Sequence, residues 1–321
     1  MDRYLITGFS GFVSRHFLEF LEGLQKRVSV LGLDLVQPDF GSHRLGHIQL
    51  GFEKVDLLDR ERLEKIIFKF QPNFILHLAS YSSVAFSWVN PVLSFMNNTN
   101  IFLNVLEAVR SANSRIRILS VGSSEEYGDL LGRKKMFHEE DILCPVSPYA
   151  VARVSQEMLS KVYVKGFGLD IVLTRSFNHI GPGQKETFVV ASFAKRLVEM
   201  KKSGSSFSKL MTGDTSLIRD FVDVRDVVRA YDALLKKGRG GEIYNICSGT
   251  GYSLAEIIRQ MASILEMQVI TEMDKKLIRP SDNRMIIGSN EKMLRDIGWE
   301  PKISMKKSLE DVIHYWNQID R

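Results

Sequence analysis

Cysteine is nearly absent from this chain: two residues, Cys144 and Cys247, in 321. They form no metal-ligand spacing and at most one bridge, so a disulfide scaffold is excluded and no metal is expected. The composition fits a reducing compartment, with the cytoplasm the expected location. Long apolar runs are missing as well, since nowhere do about 18 uncharged apolar residues stand together. The start, MDRYLITGFSGF, has no basic region leading into such a run, so neither an export signal nor a membrane span is expected. A dense patch of one charge is also lacking. The 43 Lys and Arg are scattered among 38 Asp and Glu for a net charge of +5, which argues against a nucleic-acid partner and is explained equally well by a small anionic ligand. The mildly basic runs GRKK (132–135) and KK (201–202) read as solvated turns and helix ends. There is no internal repeat and no low-complexity segment.

Hydrophobic residues make up 44% of the chain, enough for a large core in one big domain or two interleaved ones. The first half alternates short β-branched runs with amphipathic stretches, the pattern of parallel strands joined by crossover helices. YLIT (4–7), VSVLGL (28–33), FILHLA (74–79), IRILSV (116–121) and IVLT (171–174) read as buried strands. FVSRHFLEFLEGL, DRERLEKIIFKF and NIFLNVLEAVRSA read as helices between them. The expected fold is α/β, a Rossmann doubly wound parallel sheet with a smaller C-terminal α/β domain. Residues 1–175, with a return segment near 223–247, form the dinucleotide-binding domain; residues 176–222 and 248–321 form the other. Ligands should bind beyond the carboxyl ends of the strands. Helices are expected at 187–202 and 223–237, a further buried strand at EIYNIC (242–247), and two helices around the Gly-Trp-Glu-Pro turn.

The first strand runs directly into Gly8 and Gly11 ahead of a helix, a turn that lets a pyrophosphate approach the backbone and the helix N-terminus. The third glycine of such a motif is Ser14 here, and two glycines alone are a weak signal. Asp34 closes the second strand, where a carboxylate can hold both adenosine ribose hydroxyls and repel a 2′-phosphate; a turn-initiating Asp is the competing explanation. Asp56 is placed to meet the adenine amine, with a helix N-cap as its alternative. These residues favour NAD(H) as cofactor and leave NADP(H) open.

The strand IRILSV leads into GSSEEYG, placing Ser123 and Glu125 at a strand's carboxyl end. In SPYAVAR, Ser147 suits an N-cap and Pro148 the first helical position, so Tyr149 and Arg153 lie on one face of a helix reaching about Gly166. A phenol is a poor acid at neutral pH, and a cation one turn away stabilises its phenolate. His77, inside an apolar strand, reads as a core histidine; His179 reads as a loop or packing residue. Arg225 beside Asp226 reads as an ion pair, whereas Arg219 beside Asp220 reads as a ligand group. Both cysteines read as inert.

Serine, tyrosine and a cation beside a nicotinamide is the arrangement of the short-chain dehydrogenases, and the chain resembles their extended branch from Tyr4 to Trp316. RSFNHIGPGQ (175–184), FVVASFAKRL (188–197), RDFVDVRDV (219–227), YNICSG (244–249), RPSD (279–282) and GSNEKMLRDIGWEP (288–301) are similar to the GDP-sugar members. The nearest likeness is to the GDP-4-keto-6-deoxy-D-mannose reductases, with the GDP-mannose 4,6-dehydratases next. The resemblance implies NAD(P)H-dependent reduction of a GDP-linked 4-keto-6-deoxyhexose to GDP-D-rhamnose or GDP-6-deoxy-D-talose. A dehydratase or epimerase, with Glu125 taking the proton beside the ketone, is the alternative, and a nucleotide-sugar-binding homologue of weak turnover is a third. Ser123 and Tyr149 would bind the keto oxygen, with Arg153 as the cation. Phe12, Val13, Leu57, Leu78, Ala79 and Asn98 would join Gly8 and Gly11 around the cofactor. Asn178, Arg219, Arg279 and Asp282 would hold the nucleotide diphosphate and its ribose, with Ser83, Phe188, Val189 and Lys195 beside them.

Five positions depart from that family's pattern. Arg153 stands where lysine is usual, Ser14 for glycine, Ile101 and Phe102 for a small pair, and Tyr81 for a lysine. Family members commonly pair as homodimers through two long helices, here about 91–112 and 148–166, with Phe95, Phe102, Val151 and Leu159 supplying apolar faces.

Overall fold

The computed structural model describes residues 1–39, 45–112, 115–129, 136–204 and 207–319. In chain order, the first half comprises β1 (Asp2–Thr7), α1 (Phe12–Gly23), β2 (Val28–Asp34), β3 (Ile48–Lys54), α2 (Arg60–Phe70), β4 (Phe74–His77), α3 (Val84–Val89), α4 (Pro91–Ala112), β5 (Arg117–Ser123), α5 (Pro148–Phe167) and β6 (Asp170–Ser176). The second half comprises β7 (Asn178–Ile180), α6 (Val189–Lys202), β8 (Phe207–Thr212), β9 (Ile218–Asp223), α7 (Val224–Lys237), β10 (Ile243–Ile246), β11 (Gly251–Ser253), α8 (Leu254–Ile264), β12 (Gln268–Met273), β13 (Met285–Ile286), α9 (Glu291–Ile297) and α10 (Met305–Ile319).

The central sheet has seven strands in the order β10-β6-β5-β4-β1-β2-β3, and every pairing is parallel. Strands such as VSVLGLD are buried along nearly their whole length because helices cover both faces of a parallel sheet. On one face α1 and α7 bury Phe17, Leu21, Val227, Tyr231 and Leu234 against Tyr4, Ile6 and Val30. On the other, α2, α4 and α5 bury Leu63, Ile67, Phe102, Val105 and Tyr163 against Leu5, Ile75 and Ile118. This is the α/β Rossmann arrangement expected from the alternating pattern. The chain leaves β1 towards β2 on one side and reaches β4 on the other, so a crevice opens at the carboxyl ends between β1 and β4.

The later elements supply the opposite wall. Strand β9 pairs with β7, β11 and β13, β8 pairs with β12, and α6, α8 and α10 close a third apolar core around Phe193, Leu197, Ile257, Met261 and Trp316. Strand β10 rejoins the central sheet beside β6. Several short strands, and helix α3, are too brief to leave a periodicity. The GRKK run lies outside the described residues, whereas Lys201 and Lys202 end α6 as the helix-end reading has it. Phe102 is fully buried and Leu159 packs against the same core. Phe102 thus belongs to the interior of the monomer and Leu159 is only partly covered, while Phe95 and Val151, the other two apolar residues offered for a partner, are exposed. Among the described residues no helix is long and apolar enough to cross a membrane, and no group of three or more His, Cys, Asp or Glu could hold a metal ion. Cys144 is exposed, Cys247 is buried, and neither is bridged.

Candidate active site

A cavity of about 780 Å³ runs from the β1–β4 crevice to the wall formed by β9 and the segment before β13. At its inner end Gly8 has φ +68°, and a Cβ there would meet Ala79 N at 2.7 Å; a Cβ on Gly11 would meet Gly8 O at 3.0 Å. A larger residue at Gly8 would clash with the backbone of the loop after β4 and at Gly11 would be tight, and the two glycines leave the backbone and the start of α1 open to an incoming pyrophosphate. Ser14 keeps the turn intact because its Oγ donates to Gly8 O at 3.0 Å. Phe12, Val13, Asp34, Asp56, Leu57, Leu78 and Ala79 all line this half. The glycine cradle and its apolar surroundings fit a dinucleotide.

Asp34 fulfils the turn role and faces the cavity at once. One carboxylate oxygen accepts from Leu35 N at 2.7 Å, and the other from Ser10 N at 2.9 Å and Ser10 Oγ at 2.6 Å. Asp56 is not a helix cap: it accepts from Leu58 N in a turn, and α2 is capped by Asp59, which accepts from Arg62 N. Asn98 is buried behind the wall rather than on it. Its side chain accepts from Tyr81 N at 2.7 Å and donates to Tyr81 O at 3.2 Å, so it shapes the loop after β4.

Helix α5 begins as its first residues dictate. Ser147 Oγ accepts from Ala150 N at 3.1 Å, Pro148 fills the first turn, and Tyr149 and Arg153 then share a buried face. Arg153 Nε donates to Tyr149 Oη at 3.1 Å, and the guanidinium lies 5.1 Å from the centre of the phenol ring. The phenol donates its own proton to no acceptor among the described residues, and it faces the cavity. Ser123 closes β5 nearby, its Oγ accepting from Glu125 N at 3.2 Å and its N–H held by Glu126 Oε1 at 2.6 Å. Glu125 reaches the cavity wall, where burial raises its carboxyl above the usual range despite the opposing charge of Arg219. Asn283 donates to it at 3.0 Å.

Across the cavity Asp282 joins the two predicted arginines, accepting from Arg219 at 2.5 Å and Arg279 at 3.3 Å. Arg219 is thus not paired with Asp220, whose carboxylate instead accepts from Ser248, Gly249 and Gly288. Arg225 is in an ion pair, but with Asp223 and Asp311; Asp226 pairs with Arg229. Ser83, Asn178, Phe188 and Val189 line the same end. Lys195 does not: it pairs with Glu186 and lies over the Trp316 ring, and Arg196 takes the wall position. His179 faces the cavity through β7, neutral because burial lowers its pKa to about 4, and its Nε2 meets Tyr231 Oη at 3.2 Å. His77 is buried against Phe102 with Nδ1 on Thr7 Oγ1 at 2.9 Å, but its Nε2 has no partner, so it is only half satisfied.

Among the polar residues around the site that the sequence analysis does not single out are Gln156, Ser80 and Tyr231. Gln156 lies three residues beyond Arg153 on the same helix face, a spacing that signals it. Ser80 follows β4 at the strand's carboxyl end, which is again a readable position. Tyr231 comes from α7, and nothing local marks it.

Comparison with known proteins agrees with this geometry. The family model for GDP-mannose 4,6 dehydratase matches residues 5–312. The GDP-6-deoxy-D-mannose reductase of Pseudomonas aeruginosa is 32% identical over 98% of this chain and 97% of its own. The solved structure of RMD from Pseudomonas aeruginosa in complex with NADPH superimposes with a TM-score of 0.84 at 30% identity, covering 99% of this chain and 100% of that one. The UDP-glucose 4-epimerase of Thermus thermophilus in complex with NAD gives 0.84 at 29% identity, over 98% and 99%. The chain is therefore a nicotinamide-dependent enzyme and belongs to the GDP-mannose 4,6 dehydratase family, within the extended short-chain dehydrogenases/reductases.

Proposed function

We propose that the protein reduces the 4-keto group of GDP-4-keto-6-deoxy-D-mannose, giving GDP-D-rhamnose or its 4-epimer GDP-6-deoxy-D-talose. The observation that carries this reading is the phenol of Tyr149, whose oxygen accepts from a buried cation while its proton remains uncommitted at the cavity wall. A reduced nicotinamide bound in the glycine-lined half supplies the hydride. Tyr149 gives its proton to the sugar oxygen as charge develops there, Ser123 holds that oxygen, and Arg153 stabilises the phenolate left behind. Arg219 and Arg279 offer guanidinium forks to the diphosphate, with Asp282 fixing both and facing the nucleoside ribose. NAD(H) is the proposed cofactor because a carboxylate at the end of β2, as Asp34 is, can accept from ribose hydroxyls and repels a 2′-phosphate. Residues 1–175 and 223–247 form the proposed cofactor domain, 176–222 and 248–321 the sugar-nucleotide domain, and the working unit is a homodimer.

The test is to mix the protein with NADH or NADPH and enzymatically made GDP-4-keto-6-deoxymannose. Loss of reduced-cofactor absorbance with one product epimer is expected; no loss overturns the reading. Glu125 supports a second reading, because a buried carboxyl of raised pKa suits the proton abstraction of a dehydratase. Consumption of GDP-mannose without added reductant would favour that reaction.

A further inference from the structure

The arginine at position 153 is held by a set of acceptors that fits its shape. Nη1 donates to Gln156 Oε1 at 2.6 Å and to Val121 O at 3.1 Å, Nη2 donates to Ser80 Oγ at 2.5 Å, and Nε reaches Tyr149 Oη at 3.1 Å. The residue is only 5% exposed. Gln156 is itself pinned, its Nε2 donating to Ser120 Oγ at 2.9 Å and Val121 O at 3.1 Å, while Ser160 Oγ donates to Ser120 Oγ at 3.2 Å. The cradle therefore spans α5, β5 and the loop after β4.

We infer that Gln156 and Ser80 are positioning residues that aim the Arg153 guanidinium at the phenol oxygen of Tyr149, making arginine the cation this site is built for rather than an impaired substitute for lysine. Three physical points support it. A guanidinium is planar, so fixing Nη1 and Nη2 fixes the direction of the Nε–H bond. Every acceptor of Arg153 is neutral. Its charge is not spent on a carboxylate and acts on the atom where negative charge develops during proton transfer. Finally, three separate nitrogens of the guanidinium meet these acceptors, whereas a lysine carries its three donors on a single nitrogen with no rigid fork to spread among them.

The kinetic arm of the test rests on the reductase reading and uses a double-mutant cycle between Gln156→Met and Arg153→Lys. A lost hydrogen bond to a charged group is expected to lower kcat about tenfold to a hundredfold in Gln156→Met, with KM nearly unchanged. Arg153→Lys should also lower kcat, and adding Gln156→Met to it should cost almost nothing more, because its object is gone. Equal losses in both backgrounds, or an Arg153→Lys variant as fast as the parent, overturn the proposal. Ser80→Ala, in a partly exposed loop, tests the same cradle without touching α5 and should also lower kcat with KM kept; an unchanged kcat counts against Ser80. A second arm needs neither substrate nor turnover. In 15N NMR of the ligand-free protein, the Nε–H resonance of Arg153, identified by its loss in Arg153→Lys, should be protected from exchange in the parent and lose that protection in Gln156→Met. An unprotected resonance in the parent sinks the cradle even if the enzyme is active; a protected one with no turnover sinks the reductase reading and leaves the cradle standing.

Discussion

At the scale of single residues, Asp34 shows how one side chain can answer two demands. Its carboxylate ties the glycine turn through Ser10 and initiates its own turn through Leu35, yet it still faces the cavity. The NAD(H) reading predicts that Asp34→Ala lowers kcat/KM for NADH about tenfold to a hundredfold, the cost of a charge-assisted pair of hydrogen bonds, while NADPH is affected much less. Ser10→Ala separates the two roles, since it loosens the turn and leaves the carboxylate. If both variants change the NADH to NADPH ratio alike, or the parent prefers NADPH, then Asp34 does not discriminate. The residues whose placement is legible in the sequence share one property: that placement follows from local position. Gly8, Ser147, Tyr149 and Arg153 sit at strand ends, caps and one-turn spacings. Asn98 and Lys195 stand off the cavity wall, because only the tertiary packing decides which side of a helix meets the cavity. The sequence pairs Asp226 with its neighbour Arg225, whereas on the helix surface Arg229, three positions on, lies over it.

At the scale of elements, α5 carries the proposed catalytic pair and its start sets their geometry. The hydroxyl of Ser147 closes the first turn, and Tyr149 lies within that turn. Ser147→Ala should therefore destabilise the protein by about 1 kcal/mol in urea unfolding. It should lower kcat as well, because an uncapped first turn frays where the phenol is anchored. Ser147→Thr, which keeps a hydroxyl, should retain most of both. A stability loss with kcat unaltered would show that Arg153 alone fixes the phenol. The long strands and helices were readable because their apolar periods run for many residues. Strands β7, β11 and β13, of two or three residues each, were not, since their pairing with β9 is decided by where the chain returns in space. They shape the cavity all the same, because β9 carries Arg219 and β7 carries Asn178, both on its wall.

At the scale of the whole molecule, two properties belong to no single element. The first is the response to acid. Burial, reinforced by the positive charge of Arg153, lowers the pKa of His77 from 6.5 to about 3. It stays neutral in the fold at pH values where the unfolded chain binds a proton. Its contribution to stability is thus complete above about pH 6.5 and declines as pH falls towards 3, by up to about 5 kcal/mol. His77→Gln should unfold more easily at pH 7 yet show a flatter dependence of its midpoint between pH 6.5 and 4; parallel curves would remove His77 as the cause. The second property is assembly. Helices α3, α4 and α5 touch one another, and they expose Val89 (79%), Val92 (69%), Leu93 (50%), Met96 (54%), Met158 (41%) and Val162 (57%) to solvent. Monomers seldom leave so much adjoining apolar surface uncovered, and a twofold axis lets one such face cover its own copy. Light scattering should accordingly return twice the 36.6 kDa chain mass, and Met158→Glu with Val162→Glu should halve it while leaving the far-ultraviolet dichroism intact. Since Tyr149 and Arg153 ride on the same helix as that face, a monomeric parent with full turnover would show that α5 needs no partner to hold its catalytic edge in place.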